Sequence, residues 1–260
     1  MRPGVVLPAV AVAGAVLAAA CAPARIRLPE LPWTTSPDAL SRFDEATRVC
    51  ASVRTLTAEV AVSGRAGGAR LRGRLIAGLE RPGAVRIEAP APFGAPVFVL
   101  AARDDKAVLY FPRDERVLDE ASVAEVLDAL AGMRRHAADL HALLSGCLVA
   151  ARQPSGGRTA PGGWARVDLG GGVSAFLRLR GGNWTLVGGE SAGDGGPSWA
   201  VEYADVVGGL PRTIRFERAG PGPEPEVMLT LRLSQLETNR PIDAAAFELT
   251  VPPGTPRLTL

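Results

Sequence analysis

The chain has 260 residues, 47% apolar and 22% charged, with a formal net charge of +2. That is enough for one large domain or two small ones with a substantial core. It is too apolar for a disordered chain, and too nearly neutral for a nucleic-acid binder, which needs a basic face. Lys106 is the single lysine among 29 basic residues; beside abundant Ala, Gly, Pro and Val, this bias reads as the mark of a GC-rich genome.

In chain order, Met1-Arg2 is a short positive start to an uncharged stretch over 3–20. Its apolar part falls short of the roughly 20 residues that span a bilayer and suits a secretory signal peptide. The ending Leu17-Ala18-Ala19-Ala20-Cys21 resembles a bacterial lipobox, with Ala18 where leucine is usual. The resemblance implies cleavage after residue 20 and lipidation of Cys21. With Ala22 next and no aspartate there, it implies sorting to the inner leaflet of the outer membrane. The Pro-rich residues 22–36 lack a helical period and read as an extended tether. Trp33 would touch either the domain or the membrane interface.

A single domain is expected over 37–260. Ser36-Pro37-Asp38 opens a helix with an apolar stripe at Leu40, Phe43 and Val53, and Cys50 falls near that stripe. With Cys21 set aside, Cys50 and Cys147 form an even pair in an oxidising compartment, so a disulfide is expected, the alternative being two buried thiols. The period then becomes two. Leu56, Ala58, Val60 and Val62 alternate with polar or small residues; Leu71, Leu75 and Leu79 alternate with Arg70, Arg72 and Arg74; Val85 and Ile87 alternate with Arg86 and Glu88. These are antiparallel strands with one apolar and one charged face. The three arginines read as a solvated sheet face with Glu59 and Glu88 nearby.

Strands at 97–101 and 107–111 continue the sheet. Ser122 and Glu125 form a capping box ahead of the stripe Val123, Val126, Leu127, Leu130. A second short helix carries Leu140, Leu143 and Leu144 up to Gly146, and 151–163 reads as a loop. Six strands follow at 164–169, 173–180, 183–189, 198–206, 212–218 and 226–236. The expected fold is mainly β with α (α+β): a curved antiparallel sheet of about 11 strands covered by the N-terminal helix and two mid-chain helices.

This order of elements resembles the lipoprotein carriers of the LolA/LolB fold, an incomplete barrel with an apolar cavity for acyl chains. The most specific match lies in 84–100. Val85-Arg86-Ile87-Glu88 leads to Pro92-Phe93-Gly94 and then Val97-Phe98-Val99-Leu100, where the acceptor family has a strand, a Pro-Leu-Gly turn and an apolar strand. The family places an exposed apolar side chain between that Pro and Gly, and Phe93 takes the position. Prolines at 90, 92 and 96 forbid regular pairing there, so Phe93 either projects from the barrel or plugs it. A second echo is Leu143-Leu144-Ser145-Gly146. The longer N-terminus, the extra cysteine pair and the C-terminal stretch with Pro241-Ile242-Asp243 and Phe247 depart from the pattern and suggest a divergent branch.

The resemblance implies an acyl cavity, for which Leu71, Leu75, Val85, Ile87, Phe98, Leu100, Leu127, Leu130, Ile214 and Phe216 are the candidate lining. Acylated lipoproteins or other acyl lipids are the expected partners of a monomer, with a periplasmic carrier as donor and no cofactor or metal. A scaffold of an envelope complex and a glycerolipid carrier are the alternatives. An enzyme is not expected. His136 and His141, five apart, do not share a helical face and read as surface residues. There is no P-loop or His-Glu-x-x-His, and Gly170-Gly171-Gly172 precedes no helix. Asp104-Asp105 and Asp114-Glu115 read as solvated turn acids.

Overall fold

The computed structural model describes residues 25–149, 153–192 and 198–260. The stretch read as a signal peptide and Cys21 lie outside the described residues. Among those described, fourteen strands form one antiparallel sheet that does not close.

The first half is a meander: β2 (Thr55–Ala66), β3 (Ala69–Glu80), β4 (Ala84–Ala89), β5 (Phe98–Arg103), β6 (Lys106–Phe111) and β7 (Arg116–Ser122). Two helices intervene, α2 (Val123–Ala131) and α3 (Ala137–Ser145). The second half, β8 (Gly156–Ala160), β9 (Trp164–Asp168), β10 (Val173–Arg180), β11 (Asn183–Ser191), β12 (Trp199–Ala204), β13 (Thr213–Ala219) and β14 (Pro225–Thr238), returns so that β14 pairs with β2. β1 (Thr34–Thr35) adds to the outer edge of β8, and β7 is the other edge. Alternation decides which face is buried. Leu56, Ala58, Val60, Leu79, Ala77, Leu231 and Leu233 turn inward, while Glu59, Arg70, Arg72 and Arg74 face out.

The sheet has more strands than the alternation predicts, for three local reasons. β8 reads as loop because GGRTA offers no apolar run. The helix α1 (Asp38–Ser52) presses directly on this strand, and a Cβ at Gly157 would lie 2.6 Å from that of Ala39. β7 buries the adjacent Val117 and Leu118, and a register shift in its ladder with β6 hides the period of two. β1 belongs to the stretch read as a tether. From Arg25 onward that stretch is docked on the outside of the sheet: the Ile26 N–H donates to Glu217 at 2.8 Å, Trp33 meets Phe176 edge-on at 6.0 Å, and Thr34 and Thr35 pair with Thr159 and Arg158.

The helices close the concave side. α1 crosses β8–β11, where the Trp184 N–H donates to Glu45 at 3.1 Å and Arg42 lies 4.8 Å over the Trp184 ring. α2 starts in the capping box read from sequence, with the Glu125 N–H donating to Ser122 Oγ and the Ser122 N–H to Glu125. Gly132 and Gly146 end α2 and α3 in the left-handed cap conformation. The Tyr203 hydroxyl donates to Leu143 O at 3.2 Å and accepts from the Leu148 N–H at 3.1 Å, fixing the end of α3 onto β12. The C-terminal stretch covers the outside of β4 and β5 with a 3-10 helix (Ala244–Phe247), to which Arg86 and Arg103 donate.

Cys50 and Cys147 are joined in a disulfide, with Cα atoms 5.6 Å apart and a sequence separation of 97. It ties α1, over the second half of the sheet, to the segment that leaves α3, over the first. Beside it, His141 is buried rather than at the surface: its Nδ1 accepts from Arg81 Nε at 3.4 Å, and Arg81 also donates to Cys50 O. Burial, and then the Arg81 charge, hold the imidazole at a pKa of about 4 against an ordinary 6.5.

This junction can be tested in two ways. A loop of this length makes a disulfide worth about 4–5 kcal/mol in the chain-entropy account. Cys50→Ser with Cys147→Ser should therefore lower the urea midpoint by that equivalent, as equilibrium unfolding will read. The depressed His141 pKa acts with the opposite pH sign to a paired histidine: the unfolded chain takes up a proton below pH 6.5 and the folded one does so only near 4. Stability is thus retained above pH 6.5 and lost as pH falls toward 4, by on the order of 3 kcal/mol. His141→Gln should flatten unfolding free energy against pH across that window; an unchanged slope would contradict the assignment.

Candidate functional site

Pairing along β3 is incomplete. All of β3 pairs with β2, but β4 reaches only Ile76–Glu80. Residues 69–75 therefore have no strand on that side among the described residues, a stretch of roughly 24 Å. β4 stops at Ala89 because Pro90, Pro92 and Pro96 cannot continue a ladder. The loop 90–97 is closed by the Val97 N–H donating to Ala89 O at 2.8 Å. Arg113, on the β6–β7 turn, donates to Phe93 O at 2.8 Å and to Ala95 O at 3.2 Å. The loop is thus held at its base and from one side, and the Phe93 side chain projects from it. Phe93 is 88% exposed, which decides against the plug.

Behind the seam, between the β3 edge and this loop, lies a cavity of about 420 Å³ enclosed by β2–β5, β14, α2 and α3. This is within the usual range for ligand pockets. Apart from Arg72 and Arg74 at the β3 edge, the side chains lining it are apolar. Of the ten candidate lining residues, Leu71, Leu75, Ile87, Phe98, Leu100, Leu127 and Leu130 stand around it. The other three do not. Val85 follows closely on Gly83, where the start of α3 packs. Ile214 is paired with Tyr203, under the α3 junction. Phe216 is taken up by the Arg135 guanidinium, 5.6 Å above its ring.

Several lining residues escaped the sequence reading. Val60, Val62, Leu229 and Leu231 carry the same alternation and needed only the β2–β14 pairing to be placed here. Leu140 reads only as one of the second helix's apolar residues, and Met133 carries no signal beyond being apolar just after a helix. Arg113, which holds the Phe93 loop, looks like any turn arginine in sequence. A larger hollow of about 960 Å³ lies on the outside of the sheet under residues 26–33, but Arg27, Glu30, Arg166 and Glu190 line it and it suits no apolar ligand.

No family profile and no curated protein sequence matches this chain. Solved structures do. A domain from Vibrio parahaemolyticus named for outer-membrane lipoprotein sorting superposes with a TM-score of 0.50 at 11% identity, over 80% of this chain and 97% of its own. The fold is LolA/LolB-like. A LolA superfamily protein from Nitrosomonas europaea (TM-score 0.47, 11% identity, 82% and 97% covered) and a DUF1329 family protein from Desulfovibrio piger (0.48, 14%, 80% and 96%) are further likenesses. At 11% identity the likeness to the Vibrio domain is one of fold alone.

A cavity with this lining binds by non-directional burial and sets no requirement on a ligand's polar groups. Filling it tests that directly. Leu130→Trp, at a partly exposed helix position with room to adjust, should lower the affinity for a long-chain fluorescent fatty acid at least tenfold in an equilibrium titration. The thermal unfolding midpoint should stay within a few degrees.

Proposed function

We propose that this protein is a lipid-anchored carrier at the periplasmic face of the outer membrane, which takes the acyl chains of lipoproteins into its cavity and passes them to the membrane. The observation that carries the reading is the apolar cavity opening at a seam beside the projecting Phe93. An exposed aromatic on a rigid proline loop is costly in water unless lipid or cargo takes it up, and full burial is worth about 1.5–3 kcal/mol. The fold shared with a domain named for lipoprotein sorting supports the same reading, as does the lipobox-like ending at Cys21.

No chemical step is required. Cargo moves down a gradient of affinity: the cavity binds acyl chains at least as well as the donor carrier and less well than the bilayer. The seam suits this, because a chain can leave sideways between the β3 edge and the loop without being threaded through a closed pore. The cargo's covalent lipid then needs only a path of apolar contacts, from Leu100 and Phe98 past Val97 to Phe93 and the membrane.

Phe93→Glu separates this role from folding. Substitution of so exposed a side chain should shift stability by less than about 0.5 kcal/mol. The variant should still bind a fluorescent fatty acid but no longer deliver an acylated lipoprotein to outer-membrane vesicles. Normal delivery by the folded variant would refute the role given to the loop.

A further inference from the structure

The outer face of the β2–β3 hairpin carries a concentration of positive charge, of which only Arg72 and Arg74 also border the cavity. Arg65 and Arg70 are direct cross-strand partners, an arrangement that costs stability when nothing negative lies between them. Arg72 follows on the same face, and Arg232 stands beside Ala61 on β14. Among the described residues Arg65, Arg70 and Arg72 have no carboxylate partner, whereas Arg74 is paired with Glu59 at 3.4 Å. Glu226, at the start of β14, is taken by Arg218 at 3.0 Å.

This hairpin ends at a particular rim. The Val227–Ala66 pairing sets the β13–β14 turn beside the β2–β3 turn, and the Phe93 loop and the turn at 112–115 project from the same end of the sheet. The docked N-terminal segment leads to this rim as well. From Thr34 at β8 it crosses Phe176 through Trp33, passes Gly188 through Leu28, and reaches the β13–β14 turn, where Arg25 donates to Pro223 O at 3.1 Å. Arg25 comes four positions after Cys21, and an extended chain of that length reaches at most about 14 Å.

We propose that this rim is a membrane-docking surface for a bilayer with anionic headgroups. The hairpin arginines take the lipid phosphates, and the docked segment at 25–35 holds the rim, with its seam and Phe93, toward the bilayer. Position is what the structure adds: a free tether would let the domain tumble, whereas this one emerges where the cavity opens. The inference rests on the lipid-anchored reading of Cys21 for where the membrane lies. Each arginine near an anionic surface contributes enough that neutralising three of them weakens surface contact on the order of a hundredfold.

The test uses the full lipidated protein in vesicles, with a fluorophore at Ser63→Cys on the hairpin face or at Asn183→Cys on the opposite rim, and headgroup-quencher lipids. In vesicles containing one-third phosphatidylglycerol, the Ser63 site should be quenched several-fold more than the Asn183 site. The difference should shrink in phosphatidylcholine vesicles, in high salt, and in Arg65→Gln/Arg70→Gln/Arg72→Gln. Glu217→Ala with Trp33→Ala, which removes the acceptor of the Ile26 N–H and the edge-on ring contact, should also shrink it. Equal quenching of the two sites, or no dependence on lipid charge, in protein that stays on the vesicles overturns the docking surface while leaving the carrier reading intact, which the fatty-acid titration reads separately. Protein that leaves the vesicles at high salt overturns the anchor and this inference with it.

Discussion

Backbone pairing on the β4 side of β3 stops at Ile76, and the functional features of the molecule depend on that stop. A sheet of fourteen antiparallel strands has every reason to satisfy its edges. Here three prolines in 90–96 deny the ladder its next donors and turn the chain away, so the hairpin overshoots its neighbour by residues 69–75. The overshoot creates a seam, the seam opens the concave side, and the chain that turns away carries Phe93 into solvent. Had β4 continued alongside β3, the same inward leucines would face a closed, filled interior.

Keeping the cavity open places a demand on the helices. An apolar space of this size collapses if the covering helices can slide inward, because dispersion favours closer packing of its walls. The structure resists this with polar fixings at the edges. The capping box at Ser122 and Glu125 sets where α2 begins, and Arg218 reaches Asp128 on α2 at 3.1 Å. The Tyr203 hydroxyl holds the end of α3, and the disulfide ties the chain beyond it to α1. Burial pushes the Tyr203 phenol well above its ordinary range, so it remains a neutral donor at any physiological pH.

Much of the architecture is legible in the residues because its signals are local. Leucines alternating with arginines in β3, the Ser-x-x-Glu at the start of α2 and the even pair of cysteines each report a constraint within reach of their neighbours in sequence. What escapes is decided at long range. Val85, Ile214 and Phe216 face the same side as Leu100 and Leu75, and only the placement of α3 and Arg135 removes them from the cavity. His141 reads as a surface residue until Arg81, sixty residues earlier in the chain, is packed against it. The docking of 25–35 has no periodic signature, since its contacts at Ile26, Leu28 and Trp33 follow the slope of the strands they cross.

Carriage of acylated cargo requires that the cavity hold an acyl chain. Native mass spectrometry of the protein, extracted from membranes in the mildest detergent that releases it, tests this most directly. The expected result is a noncovalent adduct of acyl-lipid mass, additional to any lipid on Cys21, that is displaced by excess fatty acid and absent from Leu130→Trp. A bare protein under conditions that preserve the fold, with no adduct formed on adding fatty acid, would contradict the carrier role.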